Sequence, residues 1–89
     1  MMATRDAMEK FLNECEQTIE YARGQLQESA KQEFYGMEEY SRAQQALEEK
    51  YNELMALYRS ANAEQRERLH RMRLKIHSLQ NEMTLLDLH

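Results

Sequence analysis

Eighty-nine residues, 42% of them hydrophobic and 31% charged, supply one helical-sized core and leave little room for an internal ligand cavity. Twelve basic against sixteen acidic side chains give a net charge of −4, which argues against a surface that binds nucleic acid all over. A single cysteine excludes an intrachain disulfide, and no apolar run approaches the roughly 20 residues of a membrane span.

No proline interrupts the chain, and apolar residues recur every three or four positions, the spacing of one buried helical face. The first predicted helix covers about 4–34. Thr4 is placed to cap it, and Asp6 and Glu9 suit the positive end of its dipole. Its apolar stripe reads Met8, Leu12, Cys15, Ile19, Ala22 and Leu26, in alternating steps of four and three, with Phe11 widening it. The rhythm weakens near 34–41. There Gly36 follows Phe34 and Tyr35 as a favoured helix end, and Ser41 and Gln44 have the spacing of a capping box.

The second predicted helix covers about 37–60, with Leu54, Met55, Leu57 and Tyr58 as a wide apolar arc; if the first seam is extended through the break, Tyr40, Ala43, Leu47, Leu54 and Leu57 fall into phase with it. A clearer break follows, where Asn62 and Gln65 form a second capping-box pattern. The third helix, about 63–87, carries Leu69, Met72, Ile76, Leu79, Met83 and Leu86 in steps of three and four. The expected fold is therefore a single all-α domain over 1–89, an antiparallel three-helix bundle. The competing architecture is one long helix from 4 to 60 with the third helix folded back on it, a hairpin that would have to dimerise into a four-helix bundle to cover its first stripe.

Chemistry is sparse. Cys15 lies in the first seam, beside Glu14 and Glu16, as a small buried hydrophobe and not a nucleophile. Glu67 and His70, three apart, have the spacing of half a di-iron site, which two chains would complete. Arg66, Arg68 and Arg71 crowd the same turn and oppose a cation, so no metal is expected. No nucleophile–base pair, phosphate loop or cysteine–histidine cluster is present, so neither an enzyme nor a cofactor is expected. Arg66, Arg68, Arg71, Arg73 and Lys75 are the one basic run and the candidate anion contacts. Residues 1–60 hold seven basic and twelve acidic side chains, so a basic third helix laid against acidic partners accounts for the same run. Tyr35, Tyr40, Tyr51 and Tyr58 gather in mid-chain and are the candidate partner contacts; Tyr51 and Tyr58 also suit a core.

One block of residues (Lys31-Gln32-Glu33, Tyr35, Glu39-Tyr40-Ser41, Ala43-Gln44, Leu47-Glu48) is followed by another (Gln65-Arg66-Glu67, Leu69, Arg71-Met72-Arg73-Leu74, Ser78-Leu79-Gln80-Asn81, Met83). With the Met2-Ala3-Thr4-Arg5 start, they resemble a small family of uncharacterised helical proteins from Bacillus-type spore-forming bacteria. The resemblance implies a bacterial cytoplasmic protein, with Met2 as its natural start, and brings no catalytic residue or cofactor. The expected function is a non-enzymatic protein–protein interaction module, an adaptor, regulator or small chaperone. It would bind another protein or itself through apolar helix faces, as a homodimer in the latter case. The alternative is a nucleic-acid-associated regulator using the run at 66–75.

Overall fold

The computed structural model describes residues 4–31 and 37–87, and is helical throughout except at Thr4 and at the turn between the last two helices. The helices are α1 (Arg5–Lys31), α2 (Met37–Ser60) and α3 (Ala63–Asp87). Each packs against both others in a rod 45 × 19 × 15 Å. No described helix is long and apolar enough to cross a membrane.

The direction of each helix follows from its cross-contacts. Tyr21 bonds to Glu39 and Glu14 to Lys50, so α1 and α2 run antiparallel. Tyr51 stacks on His77 and Glu48 bonds to Gln80, so α2 and α3 are antiparallel too. Glu9 pairs with Arg68 and Glu16 with Lys75, which makes α1 and α3 parallel. The result is the up-down-up bundle expected. The long hairpin is ruled out for this fold: a continuous helix would hold residues 14 and 50 about 54 Å apart, yet Lys50 Nζ lies 3.2 Å from the Glu14 carboxylate.

Two of the three caps read from sequence are in place. Thr4 Oγ1 accepts the Ala7 amide at 3.1 Å. At the start of α3, Asn62 Oδ1 accepts the Gln65 amide at 2.8 Å while Gln65 Oε1 accepts the Asn62 amide at 3.1 Å, a complete capping box. The third, at Ser41, does not form, because α2 already begins at Met37 and Ser41 is an interior, exposed position. Its starting turn holds Glu38 and Glu39, both bonded to Arg42, so acids at the positive helix end replace a serine cap. The predicted end of the first helix at Phe34, Tyr35 and Gly36 lies outside the described residues.

The three seams meet in one core. Met8, Phe11, Leu12, Cys15, Ile19 and Ala22 come from α1, Tyr40, Ala43, Leu47 and Leu54 from α2, and Leu69, Met72, Ile76, Leu79 and Met83 from α3, all buried. Leu26, Leu57 and Leu86, the predicted ends of the seams, are partly buried against it. Among the described residues no polar or charged side chain is fully buried. Lys50 takes the seam position between Leu47 and Leu54. Its side chain is 20% exposed, its ammonium passes 5.6 Å from the centre of the Phe11 ring, and it reaches Glu14 and Glu53 at the edge. Burial pulls the Lys50 ammonium down, but the bond to Glu14 and the charge of Glu53 outweigh it and hold its pKa above the ordinary lysine value.

Candidate interaction surface

The mid-chain tyrosines do not form one surface. Tyr40 is only 4% exposed, and its hydroxyl donates to the Met83 carbonyl at 2.6 Å. It is a core residue that ties α2 to α3, and its burial corrects the expectation that it offers a partner contact. Tyr51 is half-buried, its ring stacked on that of His77 with centroids 4.9 Å apart and planes 9° from parallel. Tyr58 is half-buried beneath the Arg66 guanidinium, 5.2 Å from its ring centre. Tyr35 lies outside the described residues.

The basic run is also distributed. Arg66 folds back over the end of α2, where Nε donates to the Tyr58 carbonyl at 3.1 Å and a second guanidinium nitrogen to the Arg59 carbonyl at 3.3 Å. It satisfies carbonyls that a helix end leaves without partners, at the negative pole of the dipole. Arg68 pairs with Glu9, Arg71 with Glu67 at 2.7 Å, and Lys75 with Glu16 at 2.6 Å. Arg73 lies 3.1 Å from His70 Nδ1. The charge matching expected between basic α3 and acidic α1 is therefore present at Arg68 and Lys75. The bond from Arg68 holds the Glu9 carboxyl below the ordinary glutamate value.

Glu67 and His70, the candidate half-site for a metal, each face an arginine of the same helix. Among the described residues no three His, Cys, Asp or Glu side chains gather to hold an ion. Cys15 is fully buried, as read from its seam position, and exclusion of water pushes its thiol up to about 12.

The exposed apolar side chains are elsewhere. Leu74 and Leu85 are 53% and 61% exposed on α3, and Tyr21 on α1 is 41% exposed with its hydroxyl donating to Glu39 at 2.9 Å. Leu74 forms one wall of a shallow groove between α1 and α3, together with Ile19, Arg23, Lys75, Ser78 and Glu82. Neither leucine stands out in a reading that follows only the buried seam. The signal is nonetheless in the sequence: Leu74, Ser78, Asn81 and Leu85 repeat the 4, 3, 4 step on the opposite face of the same helix.

The chain belongs to the family described as protein of unknown function (DUF2524), whose profile matches residues 2–85. It is 49% identical over 84 residues to the uncharacterized protein YtzC of Bacillus subtilis (strain 168), a match covering 94% of this chain and 93% of that protein. No solved structure matches it. The family resemblance read from the helical blocks is thereby established.

Proposed function

We propose that this member of the family is a non-enzymatic, cytoplasmic interaction module that binds protein, a partner or another copy of itself, through apolar side chains left on the outside of the bundle. Adaptor, regulator and small chaperone are the roles such a module fills. The observation that carries the reading is the exposure of Leu74 and Leu85 on α3, while the seam leucines at 47, 54, 69 and 79 are buried. Apolar surface gains roughly 25 cal/mol per Å² when it leaves water, so two aligned leucines reward a contact that covers both. Single exposed leucines are common on monomers; it is the alignment of these two along one helix that gives the reading its support.

The 66–75 run supports nucleic-acid binding less well. Arg66, Arg68, Arg71 and Lys75 already hold oxygens of the same chain, and a phosphate would have to displace them.

A photo-reactive phenylalanine analogue placed at position 74 tests the interaction reading in living cells, with position 28 on α1, also exposed, as control. Discrete protein adducts are expected at 74 and none at 28. Equal yields at both positions, or no adduct at either, would defeat the reading.

A further inference from the structure

Building on that interaction reading, we infer that the outer face of α3 is a homodimer interface, in which a second copy of the chain packs antiparallel across a two-fold axis between Leu79 and Gln80. Leu74, Ser78, Asn81 and Leu85 succeed one another at four, three and four residues, so they stack in a single stripe. All four are exposed, and the stripe faces away from the core side chains Leu69, Met72, Ile76, Leu79 and Met83.

This stripe reads alike from either end: leucine, small polar, small polar, leucine. A two-fold axis at its centre sets Leu74 against Leu85 of the second copy, and Ser78 against Asn81, each pair occurring twice. That is the self-complementarity an isologous interface requires. Small side chains at the centre let the helices approach, and serine and asparagine can satisfy each other's hydrogen bonds there.

Charge supplies the independent argument. In an antiparallel pair, the same flank of each helix faces its equivalent. The flank toward α1 carries Lys75 and Glu82, seven residues apart, both exposed. Under the same two-fold axis, Lys75 falls within about 3 Å along the helix axis of Glu82 of the second copy, and the reverse. Glu82 makes no ion pair within the chain among the described residues, whereas Lys75 is held in place by Glu16. In a parallel two-fold pair opposite flanks meet instead, so Lys75 and Glu82 would have no such partner across the interface. The two copies of the Glu67–His70 pair end roughly 35 Å apart in the antiparallel dimer, so it builds no shared metal site.

One helical face against another is a small contact, below about 1,200 Å², so the dimer is of the transient class and fills only at high concentration. Sedimentation equilibrium of the full chain from about 10 µM to 1 mM should show the mass climbing from 10.7 kDa toward its double. Leu74→Glu combined with Leu85→Glu should weaken association at least about 100-fold with the helical circular dichroism unchanged, since both side chains face water in the monomer.

Orientation is read by thiol cross-linking, with Cys15 silent in the core. Leu74→Cys chains mixed with Leu85→Cys chains should give the mixed disulfide, and neither should link to itself. The inference is overturned by a wild-type chain that stays monomeric at 1 mM, by a double-glutamate variant that associates as the wild type does, or by Leu74→Cys linking to itself, the mark of parallel pairing. A monomeric chain that still gives adducts with other proteins at position 74 would overturn the dimer alone; a monomeric chain with no adducts would overturn the interaction reading as well.

Discussion

Tyr40 and Cys15 hold neighbouring roles for different physical reasons. The Tyr40 ring fills a seam position, and its hydroxyl would be costly to bury were it not donating to the Met83 carbonyl at 2.6 Å. Replacing it by phenylalanine keeps the packing and removes the bond. The expected loss is about 0.5–1.5 kcal/mol of stability, read from the urea midpoint at unchanged slope. At Cys15 the environment, not a bond, decides. With its thiol pushed up to about 12, almost no thiolate exists at pH 8. Iodoacetamide should modify the native chain at least about 100-fold more slowly than the urea-unfolded chain, and comparable rates would show the seam opening readily. Sequence periodicity placed both residues on the seam. Spacing says nothing of hydroxyl partners, however, and Tyr40 is read from sequence as a partner contact although it is in phase with Ala43 and Leu47.

Helix ends and interiors were legible to different degrees. The Asn62–Gln65 box could be read because both partners lie within four residues. Asn62→Ala should cost about 1 kcal/mol by leaving first-turn amides without a partner, and the melting temperature should fall by roughly 4–8 °C. The Arg66 strap over the end of α2 was not legible as a cap, since its carbonyl acceptors lie seven and eight residues back across a turn. In α1 the informative position is Gly24, inside a helix and with open space where a Cβ would stand. Gly24→Ala removes unfolded-state freedom without a clash, so it should stabilise by roughly 0.5–1 kcal/mol, visible as a higher melting temperature.

At the scale of the whole molecule, three amphipathic stripes point to a three-helix bundle but leave the dimerised hairpin open; the contact of Lys50 with Glu14 decides between them. The pairing of its charges depends on distant contacts and emerges only when the helices are laid together. Those contacts set the pH response. Glu9, held low by Arg68, contributes stability above the unfolded glutamate pKa of about 4.3, and that contribution is lost as pH falls through its lower folded value. Tyr21, raised by its bond to Glu39, contributes below the unfolded tyrosine pKa of about 10, and loses that contribution as pH rises through its higher folded value. Unfolding midpoints measured from pH 3 to 11 should therefore form a plateau with a decline on each side. Glu9→Gln should flatten the acid decline, and Tyr21→Phe the alkaline one.

The parallel ladder between α1 and α3 has a consequence for how the chain finds its alignment. Glu9 and Glu16 pair with Arg68 and Lys75, and at the same offset Arg23 and Glu82 line one groove without pairing, so the sign pattern inverts at that third step: acid, acid, base against base, base, acid. Seams with a seven-residue repeat would otherwise fit nearly as well after sliding by one repeat. A slide in one direction sets Glu16 against Glu82, and in the other Arg23 against Lys75. Each rung is worth only a fraction of a kcal/mol. In register two ion pairs form, whereas a slide either way keeps one and adds a repulsion, so the reversed charges at 23 and 82 act as an error check on a repetitive core.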